Sequence, residues 1–382
     1  MSDIGFNDNV NVTGRKFHVQ TASRSAKGVV QCEVFEAGRL ITTHEVEFER
    51  RKYGDEHSLE ERVKTMVEGL HRDTLHEIEL MFMIAEKVKK LRHAPSNVKM
   101  GLMFLRNNLV QDAIEQFELG ISIDQKSVDA LNNLGLAYIK LGKNAKAIQI
   151  LNKALELGPP YADIYHNLGL VYLNEKQHYK ALGYFQEALR INPGYMEAHY
   201  NLAILYLDSI LYDKKDDLLP PPSIRYERSQ QQLKKIESDG NSYFKQMMPK
   251  IQKMLINKEI DQVINFLSTN RNRVFPNEVL SLIGIDFYLK FMYGGKGLNN
   301  DIIKKFENKL FKAIDGNADY ADLWNNLGIV HLIQCRNLFL KALTEFDRSL
   351  EINPTFDKAL KNKKLVENDG KEFLILLRAI LK

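Results

Sequence analysis

Asn133, Asn167 and Asn201 stand 34 residues apart, and each follows a carboxylate by four positions: Asp129, Asp163 and Glu197. Far downstream, Asn326 follows Asp322 at the same interval. Residues four apart share one face of a helix. An asparagine side chain both donates and accepts. A row of them can hold the backbone of an extended peptide without reading its sequence, and the acidic row favours a partner carrying Lys or Arg. A second reading stays open, in which each asparagine bonds only to a neighbouring repeat.

No group of residues supports catalysis. Gly294-Gly295-Lys296-Gly297 has neither the Walker spacing nor an apolar strand feeding it, so it reads as a turn insertion. His76-Glu77 opens HEIEL rather than H-E-x-x-H, so the zinc spacing fails. His71 and His76 are five apart, on different helix faces, and read as solvated surface histidines. No serine or cysteine has a nucleophile's context. Cys32, on an apolar strand face, reads as core packing. No catalytic residue, cofactor or metal site is expected.

The totals agree with a binding protein. At 382 residues the chain exceeds one compact core, which favours several domains or an elongated array. A net charge of +4 is too small to imply nucleic acid. Two cysteines far apart fit a reducing compartment. The polar N-terminus is no secretory signal, and no apolar run is long enough to cross a bilayer. The expectation is a soluble cytoplasmic protein. Its Lys, Asn and Ile usage points to a bacterium with an AT-rich genome.

The elements that position the asparagine row come from the same period. Gly101, Gly135, Gly169 and Ala203 step by 34, as do Ala113, Ala147 and Ala181, and Phe104, Tyr138, Tyr172 and Tyr206. A fixed period of this size marks stacked repeats. Within 128–161, Leu131, Leu134, Gly135 and Tyr138 lie on one helical face. Leu141-Gly142-Lys143-Asn144 turns the chain; Ala147, Leu151 and Ala154 mark a second helix, and Gly158-Pro159-Pro160 stops it. Small residues let the two backbones approach.

These residues resemble the tetratricopeptide repeat. The pattern is met at Leu131, Leu134, Gly135, Tyr138, Ala147, Leu151, Ala154 and Pro159, and again at Tyr165, Leu168, Gly169, Tyr172, Ala181, Phe185, Ala188 and Pro193. The copy at 94–127 is weaker, with Met100, Gly120 and Gln125 off pattern. The resemblance implies a mainly α fold, a right-handed solenoid of helical hairpins whose first helices line a concave groove. Asn133, Asn167, Asn201, Asn326, Asp129, Asp163, Glu197 and Asp322 would face that groove. Leu136, Ile139, Leu170, Leu173, Ile204 and Leu207 would either be packing or offer an apolar floor for an amphipathic helix. The carboxylate clamp by which some family members hold chaperone tails is missing: its positions carry Val98 and Leu102, or Asn132 and Leu136, then Asp163 and Asn167, or Glu197 and Asn201.

The array is interrupted. YADIYHNLGLVYL at 161–173 returns as YADLWNNLGIVHL at 320–332, with eight of thirteen residues identical. Both phrases are first helices of one repeat unit. In the second copy Ala342, Phe346, Ser349 and Pro354 come two residues late, which implies a longer turn around Gln334–Asn337. Leu280, Ile283, Gly284 and Phe287 read as an earlier first helix, with Phe306, Leu310 and Ala313 as its partner. Between the two arrays, 209–242 is charged and broken by Pro220-Pro221-Pro222; it reads as a displaced helix near 224–236 or a surface loop.

The N-terminus alternates with period two. KFHVQTAS, GVVQCEVF and LITTHEVEF read as three strands, the last two joined across Ala37-Gly38. A helix over about 58–92, with Val63, Val67, Leu70, Ile78, Phe82, Ala85 and Val88 on one stripe, covers them or pairs two copies of the chain. The expected organisation is a β-β-β-α module over 1–92 and a regular array over 94–208, with repeats 94–127, 128–161, 162–195 and a first helix 196–208. Next in the chain come the insertion 209–242, degenerate repeats over 243–356 and capping helices over 357–382. The expected function is a non-enzymatic adaptor for a partner's peptide or amphipathic helix. The rival is an enzyme or ligand sensor with its site in the N-terminal module or in 209–242.

Overall fold

The computed structural model describes residues 3–48, 56–159, 161–212, 218–239, 242–275, 285–286, 288–294, 300–315 and 321–380. They fall in two compact units, Met1–Val279 and Leu280–Lys382.

The first unit opens with an antiparallel sheet in the order β1 (Gly5–Val12), β2 (Arg15–Arg24), β3 (Val29–Glu36), β4 (Arg39–Glu47). The sequence pattern predicts three of these strands. β1 escapes it because GFNDNVNV is rich in Asn and Asp, which strands disfavour. It pairs with β2 from Gly5 opposite Ala22 to Val12 opposite Arg15. The joining Thr13 and Gly14 have φ of 51° and 78°, both left-handed, as the tight hairpin turn requires. Ala37 and Gly38 repeat this between β3 and β4, with φ of 49° and 78°.

The helix α1 (Glu56–Leu91) lies on one face of the sheet. Val63 and Val67 pack on Val30 of β3, and the Phe82 ring is 5.4 Å from those of Phe17 and Phe104. His71, expected from sequence to be solvated, is buried in this interface. One ring nitrogen is 2.9 Å from Thr21 Oγ1 and the other 2.9 Å from Asp8 Oδ2. His76 is half-buried. The overlooked β1 supplies Asp8, which makes burial of His71 tolerable. Arg15 ties the module to the repeats: it pairs with Glu36 on β3 at 2.6 Å and with Asp112 on a helix of the first repeat.

Three hairpins come next: α2 (Ala94–Arg106) with α3 (Val110–Ile123), α4 (Val128–Lys140) with α5 (Asn144–Leu157), and α6 (Ala162–Asn174) with α7 (His178–Ile191). Each corner holds one left-handed residue, and these also step by 34: Asn108, Gly142 and Lys176, with φ of 56°, 68° and 59°. Inside each hairpin a glycine admits a large side chain. A Cβ on Gly101 would run into the Phe117 ring; on Gly135 or Gly169 it would stand 2.6 Å from Leu151 or Phe185.

The fourth first helix, α8 (Met196–Tyr212), runs longer than those before it. Its partner is α9 (Pro222–Asp239), which begins on the last of the three prolines, where a missing N–H costs nothing. Leu233 and Ile236 of α9 are buried against Ala203 and Leu207. Arg225, fully buried, donates to the Ser209 carbonyl at 2.7 Å. A hairpin of α10 (Ser242–Ile256) and α11 (Ile260–Val274) closes this unit.

The second unit contains α12 (Asn300–Asp315), α13 (Ala321–Ile352) and α14 (Asp357–Ile380), with residues 288–293 also helical. Leu280, Ile283, Gly284 and Phe287 lie outside the described residues. The turn expected at Gln334–Asn337 is absent, and α13 runs straight through it. Counting from the shared phrase, the corner position is Cys335. Nothing in Gln334-Cys335-Arg336-Asn337 stops a helix as Gly or Pro would. The C-terminal segment is one helix, α14, rather than several.

Candidate partner-binding groove

The asparagine row is spent largely on joining the repeats. Asn167 is buried and donates to Asn132 Oδ1 of the preceding repeat at 2.8 Å. Asn132 in turn donates to Asp163 Oδ2 at 2.7 Å. Asn201, also buried, bonds to His166 Nε2 at 2.7 Å. The acceptors Asn132 and His166 are themselves 34 apart, each one place before an asparagine of the row. That period is visible in the sequence once position 132 is counted as well as 133. One repeat earlier the acceptor position holds Val98, which cannot accept. Asn133 therefore turns onto its own helix and donates to the Asp129 carbonyl at 2.8 Å. Asn326 is half-buried in the second unit, where Asp322 also falls.

His166 is held neutral. Burial, with the charge of Arg271, lowers its pKa to about 3. Its Nε2 faces the amide donor of Asn201, so the proton sits on Nδ1, toward the Tyr195 hydroxyl at 3.5 Å. In the unfolded chain a histidine titrates near about 6.5. Between these values the unfolded chain holds the extra proton, so stability is full above about pH 6.5 and falls as the pH drops toward 3. The slope from this one group is at most about 1.4 kcal/mol per pH unit. His166→Asn recreates the Asn–Asn joint of the preceding repeat. Urea melts from pH 7 to pH 4 should show a shallower loss for this variant than for the parent. Equal slopes would rule out His166 as an acid-labile joint.

The acidic row keeps its access to solvent. Asp129 and Asp163 are exposed and Glu197 is half-buried. Seven and ten residues further along the same faces, Leu136 and Ile139 on α4 and Leu170 and Leu173 on α6 are half-buried. At α8 the face is covered. The Tyr200 hydroxyl donates to the Leu267 carbonyl of α11 at 2.5 Å, and its ring meets Phe275 edge-on at 5.1 Å. Burial pushes the Tyr200 hydroxyl pKa up. Ile204 packs against the same cluster and Leu207 lies within it. The face that carries the acidic row is therefore partly open on α4 and α6 and covered on α8.

Sequence reasoning also missed a buried charged cluster at the corner of the third hairpin. Asp208 of α8 accepts from Lys176 Nζ, 2.8 Å from both oxygens, and pairs with His178 Nε2 at 2.6 Å. Burial alone would raise the Asp208 pKa, but the hydrogen bonds from His178 and Lys176 outweigh it and hold it low. Among the described residues no group of His, Cys, Asp or Glu could hold a metal ion. The Asp8–His71–Thr21–Cys32 chain of contacts ends on a fully buried thiol that a substrate does not reach.

The hairpins, glycine slots and polar joints define a protein built of stacked helical repeats. Tetratricopeptide repeat models match residues 117–149, 137–176 and 162–195, and over this stretch the chain is a tetratricopeptide repeat protein. Among solved structures it is similar to MamA, with 24% identity over 44% of this chain and 94% of that one, at a TM-score of 0.35. For MamA 41-end from Desulfovibrio magneticus RS-1 the figures are 18%, 48%, 97% and 0.36. YrrB, described as "a TPR protein with an unusual peptide-binding site", gives 16%, 52%, 95% and 0.31. No curated protein matches the chain. Among the described residues no helix is long and apolar enough to cross a membrane.

Proposed function

We propose that this chain is a non-catalytic scaffold whose groove over α4 and α6 holds a segment of another protein. The segment is an extended peptide or an amphipathic helix with apolar side chains beside Lys or Arg. The observation that carries the reading is the placement of exposed Asp129 and Asp163 above half-buried Leu136, Ile139, Leu170 and Leu173. Exposed carboxylates at the rim of an apolar floor select a basic amphipathic segment. Asn133, half-exposed, remains placed to bond a bound backbone, while Asn167 and Asn201 set the spacing of the repeats beneath it. Glu197 extends the acidic row to the covered end at α8. A cytoplasmic setting suits Cys32 and Cys335, both free thiols. We assign α1 to bracing the sheet rather than to pairing two copies, because Val63, Val67, Ile78, Phe82, Ala85 and Val88 are all buried within the chain.

Peptide display against the full chain tests this directly. Sequences mixing Lys or Arg with Leu or Ile should be enriched, and their binding should weaken with salt. The double variant Asp129→Lys/Asp163→Lys, still helical by circular dichroism, should bind them at least about tenfold more weakly, the effect of losing about 1.4 kcal/mol. Enrichment of acidic sequences, or undiminished binding by the variant, would overturn the groove assignment.

A further inference from the structure

The N-terminal sheet has two edges, β1 and β4. Two bonds fix which backbone groups each edge presents. Ser23 N–H donates to the Ile4 carbonyl and Phe48 N–H to the Gly28 carbonyl, both at 2.9 Å. In an antiparallel pair the bonded positions recur every second residue. His44 and Val46 of β4 therefore bond inward, to Cys32 and Val30 of β3. The N–H and C=O of Thr43, Glu45 and Glu47 point out of the sheet. On β1 the outward positions are Gly5, Asn7, Asn9 and Asn11, residues that strands disfavour. β4 has no such defence, and neither proline nor lysine interrupts it.

The open stretch has a definite length. At one end the register shifts, Ile41 is the extra residue, and its carbonyl accepts from Asn108 Nδ2 at 3.3 Å. That leaves 43–47. Thr43, Glu45 and Glu47 are exposed, and among the described residues their backbones bond to nothing outside the ladder with β3. The two faces of the edge differ. On the face away from α1 stand Thr43, Glu45 and Glu47, with Glu33 of β3 opposite Thr43. Glu47 feels the charge of Arg273 on α11, whereas Glu33 and Glu45 have no ion pair among the described residues. On the α1 face Val46 lies opposite the buried Val30 and is still 41% exposed.

We propose that β4 takes up an extended segment of a partner protein as a fifth strand, in which Lys or Arg alternates with apolar residues. The basic side chains lie beside Glu33, Glu45 and Glu47. The apolar ones, on the other face, lie beside Val46 and extend the cluster of Val30, Leu59 and Val63 to the sheet's edge. Backbone bonds supply the affinity, and the alternation sets the register. A second copy of β4 does not suit the edge. Antiparallel pairing of two copies over 43–47 sets Glu45 against Glu45, and like charges directly opposite are destabilising. The site needs nothing from the carboxylates of α4 and α6.

The test uses the full chain carrying Asp129→Lys/Asp163→Lys, so that the face over α4 and α6 does not take the probe. The probe is a synthetic heptapeptide of alternating Lys and Val. On its addition, hydrogen exchange at the amides of Thr43, Glu45 and Glu47 should slow at least about tenfold. A peptide N-methylated on alternate amides keeps the side chains but cannot pair, and a Glu–Val peptide has the wrong charge; neither should protect these amides. Glu45→Pro removes one outward N–H and no ladder bond, which an edge strand tolerates. It should leave His44 and Val46 as protected as before and abolish the effect of the peptide. Unchanged exchange with the Lys–Val peptide would overturn the proposal. So would equal protection by either control peptide, or by the Lys–Val peptide in folded Glu45→Pro. A dimer of the parent that Glu45→Pro converts to monomer would give the edge to a second copy and equally overturn it.

Discussion

Gly169→Leu is expected to lower the stability of the first unit by more than about 3 kcal/mol, the upper end of overpacking costs. A Cβ alone would stand 2.6 Å from Cδ1 and Cε1 of Phe185. That ring cannot swing away into solvent: it is fully buried, and the His166 ring lies 5.6 Å off it. Alanine brings the same Cβ against the ring and should also destabilise, by less than leucine because it adds fewer atoms and its helix propensity returns about 1 kcal/mol. The fourth repeat already carries Ala203 at this position, where α9 replaces the usual second helix. Urea denaturation of Gly169→Leu, Phe185→Ala and the double variant decides the mechanism. If the ring is the obstacle, the double variant is more stable than the sum of the two losses predicts. Additive losses would place the damage elsewhere.

Asp208→Ala should cost about 1–3 kcal/mol, the range for leaving a buried donor without its acceptor. The carboxylate and His178 are both buried, and removing it leaves the imidazole Nε2 and the Lys176 ammonium without their acceptor. Asp208→Asn should lose less, since the amide oxygen still accepts. The pH dependence separates this site from the His166 joint. The Asp208 carboxyl is held below its ordinary value, so its contribution is complete above about pH 4, the unfolded value, and is lost as the pH falls through the lower folded value. Thermal melts at pH 7 and pH 3 should therefore differ less for Asp208→Ala than for the parent. A loss at pH 7 within about 0.5 kcal/mol would show that the cluster is only a surface contact.

Features with a period were legible in the sequence. The hairpins, their corners and the close approach at Gly135 and Gly169 all repeat every 34 residues and can be read from the residues alone. Departures from the period could not be. β1 is a strand because β2 offers it a partner, not because of its own residues. His71 is buried because that strand brings Asp8 to it. The expectation of a turn at Gln334–Asn337 rested on the analogy of a repeat, while the local residues offer no stop and the helix obeys them. Of the acidic row, Asp129 and Asp163 are exposed, as charged residues on a helix surface usually are, and Asp163 also accepts from Asn132. The asparagines looked alike in sequence, yet they divide by whether the first helix of the repeat before them carries an acceptor, as at Asn132 and His166, or a valine, as at Val98.

Those joints also govern how such a chain can lengthen. Each buried asparagine donates backwards, from one repeat to the acceptor of the one before it. A tandem duplication of residues 162–195 would set a second Asn167 against the first His166, the same chemistry as the present bond from Asn201 to His166 at 2.7 Å. The new His166 would then receive Asn201. Such an insertion orphans no polar atom and adds one more carboxylate to the open rim. A duplication of 94–127 would instead place a valine beneath a valine's successor and add no bond to the seam. Growth of the array is thus chemically neutral at one seam and unrewarded at another, so the joint chemistry biases which copying events leave a foldable protein.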